Sequence, residues 1–345
     1  MPWKSTGITV LSFILAIAVQ FPHAARAQST IPPPNQQPGQ PPGGPPGRPP
    51  DWAPRWHEKV VSTQTLHIGG ADIQVDFATG ALDLPTDKIL PWIQRAANAV
   101  VVYYGRFPVS KARILVVPAA GEQGIMQGTT WGDMHGMPGF TRIRLGQHTT
   151  EQDLTDDWTM THELVHMAFP GLPDDQHWME EGLATYIEPI ARVQAGELSA
   201  RQVWRDMIDG MPKGEPAAGD RGIDRTHTWG RTYWGGAMFC LVADVNIRKA
   251  TGNRKGLQDA LRAIMTSGGT IDHDWALMQA LEIGDKATGT RVLTEQYKLW
   301  SNSPSPVDLP KLFSDLGVST GANGAEFNPK APLAQIREQI MTREP

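Results

Sequence analysis

At 345 residues, with 40% hydrophobic and 19% charged side chains, the chain is long enough to bury one large core or two modest ones. Its formal charge of −5 argues against nucleic acid or an anionic membrane as the main partner. The single cysteine, Cys240, excludes an intramolecular disulfide, and its apolar setting (Ala237-Met238-Phe239-Cys240-Leu241-Val242) reads as that of a buried structural thiol.

Lys4, the apolar run from Ile8 to Val19 and the small-x-small triplet Ala25-Arg26-Ala27 read as a cleaved secretory signal over residues 1–27. The apolar run is too short for a membrane-spanning helix, and no cysteine at the cleavage site offers a lipid attachment point. Loss of Lys4 and Arg26 takes the formal charge from −5 to −7. The expectation is an exported protein, periplasmic or secreted, with no stable membrane insertion after cleavage. Residues 28–51 follow as a Pro/Gly-rich linker: positions 31–50 hold ten prolines and four glycines. Such a stretch buries too little apolar surface to fold and is expected to form an extended tether, with the folded part starting near Asp51 or Trp52.

Leu66 and Ile68, then Gly69-Gly70, then Ala71, Ile73, Val75 and Phe77 predict a hairpin over 65–77. Ile89, Trp92, Ile93, Ala96, Ala97, Val100 and Tyr104 have helical spacing over 87–105. Residues 112–117 predict a buried strand and 140–145 a more exposed one at a sheet edge, with glycine-rich loop over 121–139 between them. After residue 150 the pattern becomes helical. Asp153, Asp156 and Asp157 open a helix on which Leu154, Trp158, His162, Val165 and Phe169 share a face, stopped by Pro170-Gly171. A second helix is expected from Trp178 to Glu188, ending at Pro189, and others over 199–209, 232–250 and 255–266. Strands first and helices afterwards predict an α+β fold of two lobes: a β-rich one over 52–150 and a helical one over 151–345, ending in a helical tail.

Residues 162–166 read His-Glu-Leu-Val-His. Four residues apart on a helix, His162 and His166 face the same way and can offer nitrogens to one metal ion. This is the zinc metalloprotease pattern, in which Glu163 is the general base toward a metal-activated water. Catalytic zinc takes three protein ligands and keeps a further position open, so a third ligand is expected from another element. Downstream, residues 178–186 read Trp-Met-Glu-Glu-Gly-Leu-Ala-Thr-Tyr and offer Glu180 and Glu181, which helical geometry points about 100° apart.

Trp-x-x-Glu-Gly-Leu-Ala-x-Tyr resembles the third-ligand helix of the gluzincin zinc metallopeptidases, whose ligand glutamate directly precedes glycine. The resemblance implies Glu181 as third ligand of Zn²⁺. Fourteen residues lie between His166 and Glu181, fewer than in aminopeptidase-N-like members, and a shorter connection over 170–176 accounts for the difference. Thr232-Tyr233-Trp234-Gly235-Gly236-Ala237 is similar to the Tyr-x-Lys-Gly-Ala helix of aminopeptidase-N-like and glycyl-aminopeptidase-like gluzincins. By that resemblance Tyr233 donates a hydrogen bond to the oxyanion, while Gly235 stands in place of the family lysine.

The family's amine-binding strand reads Gly-x-Met-Glu-Asn or Gly-Gly-Leu-Glu-His. Its best match here, His135-Gly136-Met137-Pro138-Gly139, has Pro138 where the glutamate would stand. The leading expectation is therefore a secreted zinc-dependent peptidase acting on a peptide or protein substrate, an endopeptidase or one of undefined cut position. Two alternatives are an aminopeptidase using Glu180 or Asp133 to hold the amine, and a non-catalytic zinc- or peptide-binding module. His135, His177 and His227 read as surface histidines outside the site.

Overall fold

The structure, a computed structural model, describes residues 58–134 and 136–343. The expected signal over 1–27, the linker over 28–51, the start of the folded part near Asp51 and His135 lie outside the described residues.

β1 (Val60–Ile68) and β2 (Ala71–Ala78) form an antiparallel hairpin. Its turn residues Gly69 and Gly70 have φ of 56° and 83°, a left-handed backbone that glycine adopts without penalty. α1 (Thr86–Tyr104) follows, with Ile89, Trp92, Ile93, Ala96, Ala97 and Val100 on its buried stripe. It leads into β3 (Lys111–Ala119), parallel to β2.

β4 (Ile125–Met134) and β5 (Met137–Gly146) complete a five-stranded mixed sheet in the order β1-β2-β3-β5-β4. This corrects two expectations. Residues 125–134 form a strand inside the supposed loop, and the sheet edge is β4 rather than the strand at 140–145. Gly128, Gly132 and the run of polar residues hide β4 from any periodicity. It is held by its antiparallel ladder to β5, by the Trp131–Phe140 stack at 5.8 Å and by the Thr130–Thr141 hydroxyl contact at 2.9 Å. Neighbouring strands, not propensity, decide its conformation.

The helical part begins with α2 (Glu151–Asp156) and α3 (Thr159–His166), where one continuous helix was expected. Asp157 adopts extended φ/ψ, and its carboxylate accepts from the N–H groups of Thr159 and Met160, so it opens a new helix instead of continuing the old one. α4 (His177–Gln194) runs through Pro189, the expected stop. Pro189 costs one backbone hydrogen bond, which burial of Ile187, Ile190 and Ala191 on both sides of it offsets.

α5 (Ala200–Gly210), α6 (Gly236–Thr251), α7 (Leu257–Thr266), α8 (Leu277–Thr288), α9 (Val292–Trp300) and α10 (Leu309–Leu316) follow. The C-terminal tail is not wholly helical: a small hairpin of β6 (Val318–Gly321) and β7 (Gly324–Phe327) precedes α11 (Ala334–Met341). The described residues of the two expected lobes belong to one compact unit, in which α1 packs on α3, α4 and α7. The fold is a mixed sheet followed by a helical region. No helix among the described residues is long and apolar enough to cross a membrane.

Candidate metal centre

α3 lies between β4 and α4 and carries His162, Glu163 and His166. The His162 and His166 rings lie 4.9 Å apart, edge to face. From α4, Glu181 Oε2 comes within 3.1 Å of His162 Nε2 and 3.7 Å of His166 Nε2. One donor atom from each of these three residues lies within 4.8 Å of the others, which allows them to share a metal ion. Two imidazoles and a carboxylate match the donor preference of zinc. Burial alone would raise the Glu181 carboxyl, but the hydrogen bonds from His162 and His177 and the His177 charge hold it well below the usual carboxylate range. Burial brings the His166 imidazole down to about 4, so it stays neutral, the form in which histidine ligates metal.

Glu163 faces β4. Thr130 donates its hydroxyl to Glu163 Oε2 at 2.7 Å. A Cβ on Gly128 would stand 2.6 Å from Glu163 Cγ, so only glycine leaves room for this side chain. Burial pushes the Glu163 carboxyl up to about 7, although the positive potential of His162 and the Thr130 hydrogen bond pull the other way.

Tyr233 belongs to a five-residue π-helical segment, Arg231–Gly235, that runs into α6. π-helical turns of this kind are concentrated at functional sites. Its ring stacks on His162 at 6.4 Å and on Trp229 at 5.9 Å. Two glycines bring it there: a Cβ on Gly182 would overlap the Gly236 backbone, and one on Gly236 would overlap the Trp178 carbonyl. α4 and α6 therefore cross backbone to backbone. The Glu-Gly and Tyr-x-x-Gly patterns are two sides of that crossing.

His177, expected as a surface residue outside the site, is 44% exposed but points its Nε2 at Glu181 Oε1 (3.3 Å) and its Nδ1 at Glu180 Oε2 (2.9 Å). The i, i+3 and i, i+4 spacings of His177 to Glu180 and Glu181 were the available signal. Glu180 turns toward His177 and the Leu172 N–H, to which its Oε1 is a 3.1 Å acceptor, and not toward the imidazole pair. His227 is exposed. Thr130 and Gly128 left no trace in the sequence, because nothing local pairs β4 with α3. Cys240 is buried, and burial pushes its thiol well above the ordinary value.

Neither a protein-family profile nor a curated protein matches the sequence. Solved structures do match. An aminopeptidase N family protein from Idiomarina loihiensis superimposes with a TM-score of 0.54 at 13% identity, over 79% of this chain and 53% of its own. An M1 zinc metallopeptidase from Deinococcus radiodurans, bound to a Tyr-Ser-Ala substrate, gives a TM-score of 0.47 at 13% identity, over 72% and 53%. The chain thus spans about half the length of the solved structures it matches. At 13% identity the likeness to the Idiomarina loihiensis protein is one of fold, a mixed sheet followed by helices.

Proposed function

We propose that the protein is an exported zinc-dependent endopeptidase, with His162, His166 and Glu181 as metal ligands, Glu163 as general base and Tyr233 as oxyanion donor. The convergence of one donor atom each from His162, His166 and Glu181 within 4.8 Å carries this reading. Bound Zn²⁺ supplies Lewis acidity, polarising a carbonyl and acidifying water.

Glu163 then accepts the proton of the attacking water at its carboxylate and returns it to the leaving nitrogen. Thr130 fixes one of its oxygens. The Tyr233 hydroxyl donates to the negative charge developing on the carbonyl oxygen, an interaction worth roughly 3–4 kcal/mol per donor. Trp229 and the Gly182–Gly236 crossing hold that ring in place.

The endopeptidase reading is favoured over an aminopeptidase by the strand beside α3. β4 is the edge strand at the site; its single carboxylate, Asp133, is exposed three residues beyond Thr130, and Pro138 on β5 stands where the family's amine-binding glutamate would be. An extended peptide can instead add to a strand edge through its backbone. Export rests on the signal pattern over 1–27, and recovery of chains beginning at Gln28 from a secreting host is its test.

The zinc-loaded protein should cut an internally quenched peptide blocked at both ends, and Glu163→Gln should lose 10²–10⁴-fold in turnover while keeping its zinc. Cleavage confined to peptides with a free amine would favour the aminopeptidase. Normal turnover by the variant would remove Glu163 from its role.

A further inference from the structure

Taking His162, His166 and Glu181 as metal ligands, we infer that His177 is a positioning residue that makes Glu181 a one-oxygen ligand. Oε2 of Glu181 faces both imidazoles, at 3.1 and 3.7 Å. Its other oxygen, Oε1, is taken by His177 Nε2 at 3.3 Å. A carboxylate with one oxygen free turns readily about its last torsion and can present either oxygen or both. Two-oxygen ligation would occupy the coordination position that hydrolysis needs open. With Oε1 engaged, that rotation is blocked.

His177 is itself held. Its Nδ1 lies 2.9 Å from Glu180 Oε2, and Glu180 Oε1 accepts from the Leu172 N–H at 3.1 Å. Both ring nitrogens thus face carboxylate oxygens. The series Leu172, Glu180, His177, Glu181 runs from the α3–α4 connection to the ligand oxygen. Ligating side chains fixed in this way by an outer hydrogen bond bind metal more tightly, and losing the partner costs 10–100-fold in affinity.

Two substitutions separate this role from a merely structural one at the start of α4. His177→Gln carries an amide N–H near the place of Nε2 and preserves the contact to Glu181. His177→Asn carries one near Nδ1 and preserves only the contact to Glu180. Zinc dissociation constants measured by chelator competition on the full chain should stay at the wild-type value for H177Q and weaken 10–100-fold for H177N. The visible absorption of the Co²⁺-loaded protein should change in H177N and be retained in H177Q, with chelated forms of both variants melting together. Wild-type affinity in H177N, or equal loss in both variants, would overturn the inference while leaving the metal site standing. Failure of the wild type to bind zinc would remove both.

Discussion

Glu163 combines two environments in one side chain. It is buried, which drives its carboxyl toward the neutral form, and it neighbours His162 and Thr130, which favour the charged form. Burial wins, and the group moves from 4.5 to about 7. A carboxyl whose folded pKa is raised binds its proton more tightly in the folded state. Its contribution to stability is therefore present at low pH and is lost as pH rises from the unfolded value through the folded one. After chelation, Glu163→Gln should stabilise the protein at pH 8 by up to about 3 kcal/mol, a gain that shrinks toward pH 5. Thermal melts of both proteins at the two pH values measure it, and a pH-independent gap would contradict the assignment of the raised carboxyl to Glu163. His177 belongs to the same scale. Its i, i+4 relation to Glu181 was legible in the sequence, but a histidine near a helix start has many surface uses, and only the rotamers in place tie it to Glu181 Oε1.

Between elements, glycine sets the geometry. α4 and α6 meet at Gly182 and Gly236 with no side chain between them, so Glu181 and Tyr233 reach the imidazole pair from two helices at once. A methyl group there has nowhere to go. Gly182→Ala should cost about 1–3 kcal/mol, as overpacking does, and should lower kcat by moving Tyr233 off His162. Urea unfolding and steady-state kinetics test the two halves of that expectation, and a variant with wild-type stability would show that the helices can separate freely. Sequence reading succeeded on elements whose pattern is local. The hairpin at Gly69-Gly70 and the stripe of α1 each declare themselves within a few residues. It failed where a neighbour overrides the pattern: β4 is a strand because β5 pairs with it, and α4 survives Pro189 because the residues around it are buried. At Asp157 a helix-opening residue was placed inside a helix, when its side chain was already committed to capping Thr159 and Met160.

Across the whole molecule, the candidate metal centre lies where the sheet meets the helical region. α3 packs on β4 and on α4, and α1 packs behind both helices. A ligand that binds only this folded arrangement stabilises it by mass action. Zinc at a thousandfold excess over its dissociation constant should contribute about 4 kcal/mol, and a chelator should lower Tm correspondingly. An unchanged melting curve with and without chelator would argue that the three donors do not hold zinc.

By itself the sequence determined which side chains share a helix face, because a 3.6-residue repeat is a local property. His162 with His166, and the orientation of Glu181 relative to Glu180, follow from spacing alone. The order of elements from strands to helices was legible for the same reason. Only the tertiary structure decided which strand lies beside α3, that Thr130 and Gly128 form the wall against Glu163, and that His177 closes on Glu181. Thr130 and Gly128 lie 33 and 35 positions from Glu163, a pairing made by packing that no local periodicity encodes, whereas the i, i+4 spacing of His177 and Glu181 permits their contact and only the rotamers make it.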